Sequence, residues 1–247
     1  SLSILLMLSL CVSCADVGMM GDQDLGSSKI FGGSAEGGEI SALLLDGNGY
    51  TCTGTLIAPR VVLTAAHCIT NLSQDGRQIE TSPPRSASAF RGRDLIARTE
   101  VIGYVFHQDW NESIGTGYDI ALLYLADELN ITPTSLDTVP AEQRVGQVGK
   151  VVGFGRTETG GGDKNSVALR IEKYQHRQLT LVSPDQQSRA SCQGDSGGPL
   201  FIGEGAQKVV SGITSHGPTD CSQNLSINTA VYPFLSWIRE NLDRPTT

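Results

Sequence analysis

The chain has 247 residues, 29 of them glycine, with 6% aromatics and a formal net charge of −8. That length suits one large domain or two small ones, and frequent turns between short Val/Ile/Leu runs favour strands over helices. An acidic chain lacks the basic stripe that a nucleic-acid partner needs, so none is expected.

Residues 2–12 (LSILLMLSLCV) are apolar but too short to span a bilayer comfortably, and they fit the hydrophobic region of a secretory signal. The sequence is expected to begin inside this signal, which covers residues 1–15. Two exits stay open: cleavage after Ala15 in Ser13-Cys14-Ala15, or lipidation of Cys14, since Val12-Ser13-Cys14 resembles a bacterial lipobox. Residues 16–29 (DVGMMGDQDLGSSK) are rich in Gly, Asp and Ser without a period and read as a linker or propeptide.

Strand-like runs follow at 40–46, 51–58 and 61–65, the last leading into Thr64-Ala65-Ala66-His67-Cys68. Imidazole titrates near neutral pH and can take up and return a proton, which makes His67 a candidate base. Residues 71–84 are polar and carry no oxygen-ligand pattern for calcium, and no metal or cofactor is expected. A further strand is expected at 96–107. Tyr118-Asp119-Ile120-Ala121-Leu122-Leu123 then places one carboxylate at the head of an apolar run. The polar stretch 126–147 is the natural border between two halves. Strand signals resume at 150–156, 167–174 and 178–182, with Gln175-His176-Arg177 separating the last two, and again at 208–215. Residues 231–241 repeat apolar positions near helical spacing, which places Trp237 in a core.

Gly194-Asp195-Ser196-Gly197-Gly198 surrounds an acid and a hydroxyl with three glycines. Glycine permits sharp turns and close backbone approach. The loop can therefore aim two N–H groups at a point beside the Ser196 hydroxyl, as a tetrahedral oxyanion requires. Taken alone, a short Gly-Ser run equally suits a hairpin turn. Of six cysteines, Cys11 and Cys14 lie in the N-terminal apolar run. Cys52, Cys68, Cys192 and Cys221 lack metal-site spacing, and in an exported chain they imply two disulfides and an oxidising compartment.

The run from Cys192 through Gly194-Asp195-Ser196-Gly197-Gly198 to Pro199-Leu200 resembles the nucleophile loop of the chymotrypsin/trypsin-like serine proteases. Thr64-Ala65-Ala66-His67-Cys68 is similar to that family's general-base segment, and Asp119-Ile120-Ala121-Leu122-Leu123 to its buried-acid segment. Ile30-Phe31-Gly32-Gly33 after Lys29 is similar to the activation junction, with Phe31 in place of Val. Gly153-Phe154-Gly155 matches a Gly-Trp-Gly segment with Phe for Trp. The likeness covers residues 30–241.

The resemblance implies an all-β domain at 30–247: two six-stranded antiparallel β-barrels with the active site in the cleft between them, and a C-terminal helix. The first barrel is expected at about 30–135, the second at about 148–232 and the helix at about 233–242. It implies His67 as base, Asp119 as orienting acid and Ser196 as nucleophile, with the N–H groups of Gly194 and Ser196 as oxyanion hole. It also implies the bridges Cys52–Cys68 and Cys192–Cys221. Cleavage after Lys29 is expected to free the Ile30 amine to pair with Asp195, because a buried cation needs a buried anion.

The implied specificity pocket comprises Ala190 at its floor with Ser191, Gln193, Ser215, His216, Gly217 and Ser226. Ala190 in place of an acid disfavours Lys or Arg before the scissile bond, and small Gly217 and Ser226 leave room for an apolar or aromatic side chain. His216, where the family usually has Trp, and Arg189 beside the floor keep a neutral-polar or acidic preference open. The order His67, Asp119, Ser196 differs from that of subtilisin-like and α/β-hydrolase enzymes. The expectation is a monomeric endopeptidase made as a zymogen, secreted or held at the cell envelope. It would act on protein or peptide substrates once an activating protease has cut it. The rival is a binding module that reuses the fold without chemistry. Asn71, Asn111, Asn130 and Asn224 are glycosylation sequons, relevant only in a eukaryotic source.

Overall fold

Short β-branched and leucine-rich runs bounded by turn residues form strands, and here they close two barrels of six strands each. The structure is a computed structural model describing residues 30–47, 49–72, 79–157, 160–185 and 187–243. The expected signal (1–15) and propeptide (16–29), Lys29 included, lie outside the described residues.

The first barrel consists of β1 (Ala42–Asp46), β2 (Thr51–Ala58), β3 (Val61–Thr64), β4 (Ser86–Arg91), β5 (Asp94–Phe106) and β6 (Ala121–Leu125). It closes antiparallel in the order β1-β2-β3-β6-β5-β4. The runs VVLT of β3 and ALLYL of β6 are buried throughout, which explains why they read as unbroken apolar strings and not as an alternation. β4 has the weakest sequence signal (SASAFR), yet Ala87 and Ala89 point inward and are fully buried.

The second barrel consists of β7 (Val148–Gly153), β8 (Asn165–Gln175), β9 (Gln178–Val182), β10 (Pro199–Ile202), β11 (Val209–His216) and β12 (Ser226–Ala230). Its ring runs β8-β7-β10-β11-β12-β9 and is closed by the β8–β9 hairpin. Gln175 pairs with Gln178, so the hairpin loop is His176-Arg177 alone. Both residues have positive φ, 49° and 64°, as a two-residue turn between right-twisted strands requires.

The border of the first barrel differs from the expected 30–135 at both ends. Ser34–Ala35 pairs with β8 of the second barrel, and Ser135–Leu136 runs parallel to β11. The physical reason at the N-terminal end is Ile30, which is fully buried in the second barrel's core with Val151, Val167 and Leu200. The chain's other end crosses the opposite way. Helix α1 (Leu235–Asn241) follows the second barrel but packs Leu235 and Ile238 into the core of the first. The Tyr124 hydroxyl of β6 donates to the Asn241 carbonyl at 2.8 Å and anchors its end. Each barrel is thus strapped by a terminal segment that is adjacent in sequence to the other.

This arrangement brings four connections together: the turn after β3, the residue before β6, the loop before β10 and the C-terminal end of β11.

Candidate active site

His67 sits in a single 3₁₀ turn, Ala66–Cys68, directly after β3. The Cys52–Cys68 disulfide fastens that turn to the start of β2. Asp119 precedes β6 and is fully buried. Its Oδ1 accepts the His67 backbone N–H at 3.0 Å, and its Oδ2 pairs with His67 Nδ1 at 2.7 Å. The Ser215 hydroxyl, from the end of β11, donates to the same Oδ2 at 2.6 Å. Three donors thus surround one carboxylate and leave the far ring nitrogen of His67 for other work; the imidazole side chain is 26% exposed.

The electrostatics follow from this geometry. Burial alone would favour a neutral imidazole, but the charge and hydrogen bond of Asp119 outweigh it and hold the His67 pKa above its ordinary value. Burial likewise opposes an ionised Asp119. The His67 charge and the bonds from His67 and Ser215 prevail and keep that carboxyl below its ordinary range. The pair is therefore poised as carboxylate and imidazole, with the imidazolium favoured once a proton arrives.

Ser196 lies in the loop before β10, held from both barrels. Its carbonyl accepts the Thr53 N–H of β2 at 2.8 Å, and the next residue, Gly197, donates to Thr214 O at 2.7 Å. Gly197 has φ +80°, and a Cβ there would come within 2.0 Å of Thr64 Oγ1 and 2.3 Å of Thr53 O. Only glycine lets the loop pass this close to the first barrel. Among the described residues the N–H groups of Asp195, Gly197 and Gly198 are taken by backbone carbonyls, whereas those of Gly194 and Ser196 have no protein acceptor. Two unengaged donors therefore flank the Ser196 side chain.

Asp195 points the other way, into the protein. It is fully buried, its Oδ2 accepts Cys192 N–H at 2.7 Å, and its Oδ1 accepts Gly155 N–H at 2.8 Å. Burial pushes its pKa up to about 7 against those two bonds, and among the described residues no cation acts on it. Gly153 and Gly155 have no Cβ because one would lie 2.1 Å and 2.7 Å from the Asp195 carboxylate. Ile30, the residue expected to supply the amine, is likewise fully buried in the second barrel.

A cleft of about 230 Å³ beside Ser196 is lined by Ser191, Gln193, Ser215, His216 and Gly217 together with Thr214, Pro218, Thr219 and the Cys192–Cys221 disulfide. Ala190 and Ser226 are fully buried behind Ser191. Ser226 Oγ accepts both the N–H and the hydroxyl of Ser191, at 2.8 and 2.9 Å, so the two wall hydroxyls engage each other. His216 Nδ1 is 3.1 Å from Ser215 Oγ, and burial, assisted by the nearby His67, holds its pKa below the ordinary value. A larger cleft of about 720 Å³ lies on the second barrel, walled in part by Glu39, Lys150 and Lys208. Lys150 there pairs with Glu39 at 3.1 Å and with Glu36 at 3.2 Å. Cys52, His67 and Cys68 cluster closely enough to suggest a metal, but both sulfurs are in a disulfide and offer no thiolate.

Sequence reasoning missed Thr53, whose hydroxyl and backbone both hold the Ser196 loop, and the contact of His216 with Ser215, whereas the bond from Ser215 to the buried acid is one that the family resemblance implies. A threonine inside a strand carries no local signal of such a role.

The comparisons agree with this geometry. Residues 30–238 match the family model described as Trypsin. The chain is 29% identical over 215 residues to the vitellin-degrading protease of Bombyx mori, covering 78% of this chain and 76% of that protein. It is 28% identical over 215 residues to chymotrypsin-like elastase family member 1 of Bos taurus, covering 76% and 77%. Melanization protease 1 of Drosophila melanogaster is 28% identical over 236 residues, covering 78% of this chain but only 58% of that longer protein. Among solved structures, neuropsin, a serine protease of mouse brain, superposes with a TM-score of 0.69 at 22% identity, covering 87% of this chain and 100% of that one. A Glu endopeptidase superposes with a TM-score of 0.67 at 16% identity, covering 83% and 91%. The match to the Trypsin family model over residues 30–238, on a fold of two six-stranded antiparallel barrels, places the chain in the trypsin family of serine endopeptidases.

Proposed function

We propose that the chain is a secreted endopeptidase, made as a zymogen and activated by cleavage after Lys29, which hydrolyses peptide bonds through an acyl-enzyme on Ser196. In the reaction His67 takes the Ser196 proton as the hydroxyl oxygen attacks the substrate carbonyl. The N–H groups of Gly194 and Ser196 carry the oxyanion. The imidazolium, stabilised by Asp119, returns its proton to the leaving amine. Water then enters, His67 deprotonates it, and the acyl group is released from Ser196. The observation that carries this reading is the buried Asp119 carboxylate, which binds His67 Nδ1 at 2.7 Å while Ser215 donates to the same oxygen.

Activation is supported by the buried Asp195, a carboxyl with no cation beside it among the described residues, packed against Gly153 and Gly155, where a Cβ would meet it. Secretion is supported by the apolar run at 2–12 and by two disulfides, which persist in oxidising compartments. For the residue before the scissile bond we favour an apolar or aromatic side chain. Ala190 adds no charge, the Ser191 hydroxyl donates to Ser226 Oγ, and His216 is held toward its neutral form. The test is hydrolysis of a diverse peptide library by the chain cut after Lys29, alongside its Ser196→Ala variant. Cleavage after Phe, Tyr or Leu by the parent alone is the expected result. Equal cleavage by both proteins would remove Ser196 from the mechanism.

A further inference from the structure

We propose that Thr53 is a positioning residue for this reaction: from the first barrel, its side-chain hydroxyl fixes the oxyanion-binding loop of the second. The role rests on the assignment of Gly194 and Ser196 made above. Thr53 is fully buried in β2, next to the bridged Cys52. Its hydroxyl donates to Gly194 O at 2.9 Å and accepts the Phe154 N–H at 3.2 Å. Its own N–H donates to Ser196 O at 2.8 Å, and its carbonyl accepts the Thr64 hydroxyl at 2.9 Å. One residue therefore holds the carbonyls of both residues whose N–H groups face the developing oxyanion.

The need for such a clamp follows from glycine. Gly194 has φ +96° and lies against Gly155, whose Cα would be 2.8 Å from any added Cβ. Without a side chain the residue has wide backbone freedom, so its own sterics cannot fix the peptide on either side. The orientation of the Gly194 N–H is then set by what holds its neighbours, and an oxyanion donor is effective only when it is already aimed. The same hydroxyl also holds Phe154, whose neighbour Gly155 binds the Asp195 carboxylate. Thr53 Oγ1 thus joins the two segments that shape the Ser196 loop, and both its donor and its acceptor capacity are used. Deleting it strands the part-buried Gly194 carbonyl and the buried Phe154 N–H together.

The experiment compares the parent, Thr53→Val and Thr53→Ser, each cut after Lys29. It uses a chromogenic peptide substrate and a peptide boronate that mimics the tetrahedral intermediate. Valine keeps the shape and removes the hydroxyl, whereas serine keeps the hydroxyl. We expect Thr53→Val to lower kcat by about tenfold, short of the roughly 10²–10³ lost with a direct oxyanion donor. KM should change by less than about twofold, and boronate affinity should fall in step with kcat, which marks an interaction made in the transition state. Thr53→Ser should recover most of both losses. If the valine protein does not fold, Thr53→Ala is read on the same scales. The proposal is overturned if the hydroxyl-free variant turns over within about twofold of the parent, if boronate affinity stays unchanged while kcat falls, or if serine fails to rescue. An inactive parent that a fluorophosphonate does not label overturns the endopeptidase reading itself, and this role with it.

Discussion

The perturbation with the most calculable effect is cleavage after Lys29, because it introduces a cation beside a buried carboxyl. Asp195 is fully buried with two backbone N–H partners among the described residues, and its pKa rises from the ordinary 3.8 to about 7. The folded state therefore holds a proton that the unfolded state has already lost. Stability is greatest below about pH 4, falls as pH rises through the window to about 7, and is flat beyond it. The displacement corresponds to roughly 4 kcal/mol, as an order of magnitude. After cleavage the Ile30 ammonium pairs with the carboxylate, brings its pKa back down and removes the slope. The assay is urea unfolding of cut and uncut protein at several pH values, in a Ser196→Ala background to prevent self-digestion. Cleavage also adds the Ile30 amine and the Lys29 carboxylate, but both keep their charge between about pH 4 and pH 7, so within that window the difference between the two forms reports Asp195. The cut form should gain on the uncut form by a few kcal/mol between about pH 4 and pH 7. Uncut Asp195→Asn should lose the slope. Parallel pH profiles for the two forms would refute the pairing of Ile30 with Asp195.

Other substitutions test other parts of the site. Asp119→Asn should reduce kcat by about 10⁴-fold near neutral pH, because the amide cannot hold the same imidazole tautomer; steady-state kinetics on a peptide ester would show it. Gly197→Ala places a methyl 2.0 Å from Thr64 Oγ1 at a φ of +80°, so both the melting temperature and turnover should drop sharply. Removing the Cys52–Cys68 bridge as a double alanine variant should cost about 3 kcal/mol in denaturant unfolding, given the short loop it closes. Ala190→Asp places a carboxyl behind the cleft and should shift kcat/KM toward peptides with Lys or Arg before the scissile bond, as read by library profiling. No shift would mean that Ala190 does not floor the pocket.

The parts of this molecule that were legible in the sequence are those where chemistry requires a contiguous string. Gly194-Asp195-Ser196-Gly197-Gly198 is such a string because the loop needs positive φ at Gly194 and Gly197 and a close pass beside Thr64. The segments around His67 and Asp119 are others, because each places one titrating group at the edge of a barrel strand. The strands Thr51–Ala58 and Gln178–Val182 have the predicted ends, since apolar runs between turn residues specify them. What was not legible depends on pairing between distant residues. Ser34 pairs with Ser166 on the neighbouring strand of the second barrel, and nothing near residue 34 announces it. β4 was missed because alanine and serine are weak strand formers, and only their inward position in the closed ring places them there. The hydroxyl of Thr53 reads locally as a β-branched strand residue. Its partners, Gly194 and Phe154, lie more than a hundred positions away.

The most direct measurement of the central claim is fluorophosphonate labelling of the chain before and after cleavage at Lys29, with mass spectrometry to locate the adduct. The prediction is near-complete modification of Ser196 in the cut protein, much slower modification in the uncut protein, and none in the Ser196→Ala variant. An adduct on another residue, or no adduct on Ser196 in correctly cut and folded protein, would contradict it.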